Sequence, residues 1–91
     1  MTVRVFFENG GVVRCESEQE DAAVIEHCRD AGLAVFPKHD PKKKYWGLTL
    51  FNGHISGYMV GSPIWEDGTP YNEFLLVCGL SGSVPPLDDL I

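Results

Sequence analysis

The chain has 91 residues, a mass of 10.1 kDa and a formal net charge of -6. A chain of this length forms one domain with a modest core, because about two-thirds of its surface can be buried on folding. The composition, 44% hydrophobic and 22% charged, is that of a globular protein and excludes disorder, collagen and coiled coil. The acidic balance disfavours non-specific binding to DNA or anionic membranes, since both need an excess of cations.

Targeting and cysteine usage point to one compartment. No apolar run approaches the roughly 20 residues that span a bilayer, and the N-terminus lacks a cationic segment followed by an apolar stretch. Cys15, Cys28 and Cys78 are an odd number without CxxC spacing, which favours reduced thiols over a disulfide framework. We therefore expect a soluble, cytoplasmic protein.

The first half of the chain predicts a hairpin, a helix and a short strand. Two β-branched and aromatic runs, 3–7 and 12–15, flank the turn Asn9-Gly10-Gly11 and predict a β-hairpin. Ser17 with Glu20 forms a capping box that starts a helix over 18–31, stopped by Gly32. One face of this helix carries Val24, Ile25, Cys28 and Ala31. A third strand is predicted over 33–36, and the loop 38–44 holds four of the seven basic residues.

The second half contains the strongest local signal. Asn52-Gly53 between the runs 45–51 and 54–60 predicts a two-residue type I′ hairpin. The register places Leu50 opposite Ile55 and Leu48 opposite Gly57 on an apolar face, which Trp46 and Met59 extend. The other face pairs Phe51 with His54, Thr49 with Ser56, Gly47 with Tyr58 and Tyr45 with Val60. An irregular excursion over 61–72 precedes an apolar strand, 73–78, expected in the centre of the sheet.

These elements predict an α+β fold in the order β-β-α-β-β-β-β. It has an antiparallel sheet of about five to six strands and one amphipathic helix packed on one face. Residues 1–79 form the single domain, and 80–91 form an extended C-terminal tail.

Motifs for chemistry are lacking. The sequence holds no close pairs of zinc ligands, no GxSxG elbow and no Gly-rich phosphate loop, so we predict no metal, no cofactor and no catalytic residues. Cys78, at the end of an apolar strand, and His54 are the one pair that an enzyme or enzyme subunit could use.

One surface suggests nucleic acid. Tyr45 and Tyr58 lie on the second hairpin face, which a single helix cannot cover, beside Lys42, Lys43 and Lys44. Aromatic sheet faces stack bases of single-stranded nucleic acid or nucleotides, although the net charge disfavours that partner. The alternative is that the excursion 61–72 folds over this face, or that two copies pair through it or through an edge strand as a homodimer.

Other features suggest a protein partner. Acids gather on the helix, where Glu26 and Asp30 repel each other and Asp30 lies at the unfavourable end of the dipole. Trp65 and Tyr71 beside acidic residues are typical of interface anchors, unless Trp65 is buried under the loop. The candidate partner-binding residues are Glu20, Glu26, Asp30, Trp65, Glu66, Asp67 and Tyr71. The alternative is that these acids lie on a solvent-exposed helix face and bind no partner.

We therefore expect a small module that acts by binding and not by catalysis. It would be an acidic inhibitor or adaptor that docks on a larger protein complex, including one that handles nucleic acid. Phage-encoded inhibitors such as anti-CRISPR proteins share this size and charge, which is an analogy and not a motif match.

Overall fold

The computed structural model describes residues 1–80. The elements in chain order are α1 (Val3–Glu8), β1 (Val12–Arg14), α2 (Glu18–Asp30), a 3₁₀ turn (Pro41–Lys43), β2 (Gly47–Phe51), β3 (His54–Tyr58), α3 (Pro63–Glu66), β4 (Thr69–Pro70) and α4 (Tyr71–Val77). The α+β class is confirmed, while the number and order of strands differ from the prediction. Of the predicted tail, all but Leu80 lies outside the described residues.

The N-terminal hairpin prediction is wrong, because residues 3–8 form a helix. The Thr2 hydroxyl accepts a hydrogen bond from the amide of Val5 at 3.1 Å, so α1 has a side-chain cap. The helix buries Val3, Phe6 and Phe7, which share one face at helical spacing. Gly10, at a φ of 88°, then turns the chain from the helix into β1.

The segment predicted as a central strand, 73–78, is also helical. In α4, Phe74 and Leu75 are buried while Leu76 is 80% exposed. The ring of Phe74 packs against those of Phe6 and Phe7 at centroid distances of 5.1 and 5.8 Å. Two short helices from the two ends of the described chain thus share one aromatic cluster, in which each edge-on pair adds about 0.5–1.5 kcal/mol beyond its burial.

Helix α2 agrees with its prediction to within one residue. The Ser17 hydroxyl accepts from the amide of Glu20 at 3.1 Å, and the Glu20 carboxylate accepts from the amide of Glu16 at 2.9 Å. The return contact therefore reaches one residue further back than in an ordinary capping box. Gly32 follows with a φ of 81°, as the stop signal requires. The buried face includes Asp21 besides the predicted apolar residues.

The second hairpin is confirmed in position, turn and register. All five predicted pairs from Gly47–Tyr58 to Phe51–His54 are formed. Asn52 and Gly53 have φ values of 50° and 88°, both positive as a type I′ turn requires. The pairs that would have involved Tyr45 and Trp46 lie beyond the strand ends, since β2 begins at Gly47.

The sheet is mixed, and β1 lies inside it. The strand order is β3-β2-β1-β4, with β1 antiparallel to β2 and parallel to β4. The predicted strand 33–36 contributes a single bridge between Val35 and Ile55. Val13, Leu48 and Ile55 share one face by register and are fully buried in one core cluster with residues of α1, α2 and α4.

The excursion 61–72 covers part of the other face. A Cβ placed on Gly47 would come within 3.1 Å of Trp65, so the indole lies directly on β2. The far end stays open, because Phe51 is 55% exposed. Among residues 1–80, no helix is long and apolar enough to cross a membrane.

Candidate functional site

The first candidate site is an open cleft of about 200 Å³ between the start of α2 and the start of α4. We call it the Arg14 cleft; its lining residues are Arg14, Glu16, Glu20, Pro70, Tyr71 and Asn72. Strand β1 supplies Arg14, the cap of α2 supplies the two glutamates, and the junction of β4 and α4 supplies the rest. The pairing of β1 with β4 brings these distant segments together.

Tyr71 is the unusual member of this cleft. The residue is 3% exposed, and its hydroxyl has no hydrogen-bond partner among residues 1–80. Burial raises the pKa of the phenol, and the neighbouring Glu20 carboxylate and Cys15 add to the rise. The group is therefore a neutral hydroxyl whose unmet hydrogen bond costs about 1–3 kcal/mol. A polar group entering the cleft would recover part of that cost.

Arg14 connects the cleft to helix α3. Its Nε lies 3.4 Å from the Glu16 carboxylate, and its Nη1 donates to the carbonyl of Glu66 at 3.2 Å. The guanidinium carbon is 5.6 Å from the centre of the Trp65 ring, within cation–π range. One guanidinium faces two glutamates, so the cleft keeps a net negative charge.

The predicted partner-binding residues fall into separate places. Tyr71 and Glu20 line the Arg14 cleft, and Trp65 and Glu66 touch Arg14 from α3. The ring of Trp65 is half-buried and donates its Nε1–H to the carbonyl of Cys15 at 2.9 Å. This position agrees with the alternative in which the excursion 61–72 folds over the sheet. Tyr71 lines the cleft and is also a core residue, 3% exposed.

The remaining members of that set lie elsewhere. Glu26 and Asp30 are exposed on the outward face of α2. Asp67 caps the end of α3 and lines a separate shallow depression with Val12, Pro63 and Ile64. The structure thus joins four of the seven predicted residues around Arg14.

A second cleft, of about 320 Å³, lies between the loop 36–45 and β3. We call it the His39 cleft; it is lined by Phe36, Lys38, His39, Asp40, Lys43, Tyr45, Ser56 and Gly57. Lys43 and Tyr45 belong to the predicted nucleic-acid set, and the exposed residues Lys42 and Lys44 flank the cleft without lining it.

The predicted placement of Tyr45 and Tyr58 on one face of the hairpin is not observed. Tyr45 precedes β2, and its carbonyl lies against Gly57 where a side chain would stand. Gly57 and Tyr58 are neighbours in β3, so they face opposite sides of the sheet. Tyr45 therefore joins the His39 cleft, whereas Tyr58 lies on the other face.

Behind the His39 cleft lies a buried histidine–carboxylate pair that the sequence reasoning missed. Nε2 of His39 lies 2.9 Å from each carboxylate oxygen of Asp21, and the two side chains are 5% and 0% exposed. The sequence does contain a signal for this pair. At 100° per residue, Asp21 falls within the arc of Val24, Ile25 and Cys28, and an acid on an apolar face indicates that a partner must exist.

The cysteine–histidine pair of the enzyme alternative is not assembled. Cys78 caps α4 near the N-terminus, while His54 sits at the β2–β3 turn with its ring against Phe36. Burial raises the pKa of the Cys78 thiol, an effect that the N-terminal ammonium partly opposes. The fully buried Cys28 has its pKa raised to about 12 by burial. Within residues 1–80, no group of three or more His, Cys, Asp or Glu side chains could hold a metal ion.

Comparison with protein-family models, with curated proteins and with solved structures finds no match for this chain.

Proposed function

We propose that the protein is a small interaction module, an acidic inhibitor or adaptor that docks on a larger protein with a basic surface. The observation that carries this proposal is the buried, unpartnered hydroxyl of Tyr71 beside the Glu20 carboxylate in the Arg14 cleft. A lysine or arginine side chain from the partner would donate to both groups, and it would neutralise the net charge of the cleft.

The surroundings of the cleft fit a docking surface. Arg14 donates to the carbonyl of Glu66 and lies over the Trp65 ring, and these contacts order the wall of the cleft before a partner arrives. Its buried Nε, 3.4 Å from the Glu16 carboxylate, makes no hydrogen bond within residues 1–80. Ordered side chains lose less entropy on binding than free ones do. The exposed acids Glu26 and Asp30 on α2 would attract a basic partner from a distance and act on the association rate.

We propose the cytoplasm as the compartment. Cys15, Cys28 and Cys78 are all free thiols, and unpaired cysteines are typical of reducing compartments.

Affinity capture from lysate of the native host, followed by mass spectrometry, tests the docking function. The wild-type chain is compared with Glu20→Gln, Tyr71→Phe and the matched control Glu18→Gln, which removes the same charge from an exposed position of the same helix outside the cleft. We expect one protein that the wild type and the control retain and that both cleft variants lose. Retention by every variant, or capture of nucleic acid alone, would contradict docking through the Arg14 cleft.

Binding kinetics with the purified partner then distinguish effects on the dissociation rate from effects on the association rate. The cleft variants should raise the dissociation rate, because a charge-assisted hydrogen bond contributes about 1.5–3 kcal/mol. Reversing Glu26 and Asp30 to Lys should instead slow association at low salt and leave dissociation unchanged. Unchanged association rates would remove the outward face of α2 from the docking surface.

A further inference from the structure

The His39 cleft has the dimensions of a small-molecule site. Its volume of about 320 Å³ falls at the lower end of the range for ligand pockets. The loop 36–45 forms one wall and β3 forms the other. It lies at the β3 edge of the sheet, whereas the Arg14 cleft lies beside β1 and β4, so the two are separate sites.

The back wall is built on a fixed imidazole. Both carboxylate oxygens of Asp21 lie 2.9 Å from Nε2 of His39, and this contact sets the orientation of the ring. No hydrogen bond within residues 1–80 engages Nδ1, the nitrogen on the side away from Asp21. Because Nε2 is engaged by Asp21, Nδ1 is the ring nitrogen left for a ligand.

Cations surround the opening of the cleft. Lys38 and Lys43 are exposed and line it, and no carboxylate of the described chain forms an ion pair with either. The acid of the cleft, Asp40, uses its carboxylate to cap the 3₁₀ turn by accepting from the amide of Lys42 at 3.0 Å. The cleft therefore has a net positive charge in a chain whose total is -6.

Flat apolar surface lies beside these cations. Phe36 and Tyr45 are 40% and 41% exposed, and both line the cleft. Large aromatic rings left this exposed are suitable for stacking on a planar ligand, with a gain of about 1–3 kcal/mol per stacked base. Ser56 and Gly57 of β3 complete the same wall.

We propose that the His39 cleft binds a nucleoside monophosphate, with the phosphate held by Lys38, Lys43 and His39 and the base stacked on Tyr45 or Phe36. The combination of paired lysines, an oriented imidazole and two exposed rings carries this inference. A single nucleotide fits better than a nucleic-acid strand, because the acidic remainder of the surface repels a longer polyanion.

The test is calorimetric titration of the full chain with adenosine 5′-monophosphate at about 50 mM salt, where charge contacts are strong. We expect saturable binding that Lys38→Gln and Lys43→Gln each weaken by about tenfold, as loss of one charge-assisted contact predicts. Lys42→Gln, an exposed cation of the same loop outside the cleft, is the matched control and should bind like wild type. Tyr45→Leu should weaken the nucleotide and leave the affinity for inorganic phosphate unchanged.

His39→Gln examines the fixed imidazole separately, and its far-UV circular dichroism shows whether the fold survives. If His39→Gln unfolds, the lysine variants and Tyr45→Leu still decide the question. Three results overturn the proposal: no saturable binding of the nucleotide, equal weakening by Lys42→Gln, or inorganic phosphate binding as tightly as the nucleotide. Tighter binding of an oligothymidine than of the monophosphate also overturns it, in favour of a single-stranded nucleic-acid surface.

Discussion

Replacing His39 with leucine is the most direct probe of the buried pair. The substitution leaves the carboxylate of Asp21, which is 0% exposed, without its hydrogen-bond partner. Removing the partner of a buried carboxylate costs about 3–5 kcal/mol, because the carboxylate remains desolvated without a compensating contact. A chain of this length has a total stability of about 5–14 kcal/mol, so the loss is about a fifth of that stability or more.

Urea unfolding, followed by far-UV circular dichroism, measures this loss in the free energy of unfolding. The double variant, His39→Leu with Asp21→Leu, removes both polar groups and should be more stable than His39→Leu alone. His27→Leu, a half-exposed histidine on α2, is the control and should stay within about 0.5 kcal/mol of wild type.

Two results would refute the reasoning. If His39→Leu costs less than about 1 kcal/mol, Asp21 is either solvated or paired elsewhere. If the double variant is no more stable than the single one, the penalty arises from lost packing and not from an uncompensated charge.

Three further predictions concern packing, backbone and thiols. Phe74→Ala should lower the free energy of unfolding in urea by about 3–5 kcal/mol, because it leaves a cavity in the ring cluster between α1 and α4. A backbone chemical shift typical of a strand at Phe74 would contradict the fold. Gly57→Ala should lower the free energy of unfolding by about 1–3 kcal/mol and shift the NMR resonances of Tyr45, since the added Cβ meets the Tyr45 carbonyl. Gly53→Ala is the control: Gly53 has open space around it but a φ of 88°, so this change should cost only about 1 kcal/mol and leave the Tyr45 resonances unchanged. Burial raises the pKa of Cys28 from 9.0 to about 12, so its contribution to stability is complete below pH 9 and declines as pH rises from 9 to 12, by about 1.4 kcal/mol per pH unit. The alkaline decline should be shallower in Cys28→Ala, and equal slopes would show that this thiol ionises freely in the folded chain.

Elements whose turns or helix ends are specified by neighbouring residues could be predicted from the sequence. The turn Asn52-Gly53 requires two positive φ values, which few other residue pairs allow, and it sets the register of the whole hairpin. Helix α2 has a capping serine at one end and a left-handed glycine at the other. Both signals act within a few residues, so distant parts of the chain cannot override them.

The two terminal helices could not be assigned in this way. The runs 3–7 and 74–77 are short, apolar and rich in β-branched or aromatic residues, and periodicity does not separate a strand from a buried helical turn at this length. Packing decides the outcome, because Phe6, Phe7 and Phe74 form one ring cluster with both segments in the helical conformation. That contact joins residues almost seventy positions apart, beyond the reach of local patterns.

The same distinction between local and long-range signals applies to the candidate sites. The sequence brought forward Glu20, Tyr71, Lys43 and Tyr45 by residue type, but it grouped them by neighbourhood along the chain. The Arg14 cleft depends on the parallel pairing of β1 with β4, which no local signal announces. Asp21 and His39 are 18 residues apart and meet because the loop after α2 folds back on its first turn.

The central place of β1 also governs when this chain can fold during synthesis. Residues 12–14 are synthesised well before one of their neighbours, β4 at residues 69–70, and Phe74 follows β4 in the chain. Until β4 and Phe74 have been synthesised, one side of the three-residue strand is exposed and the ring cluster lacks a member. The growing chain therefore exposes apolar surface at this stage, and the fold is completed only after α4 has been synthesised.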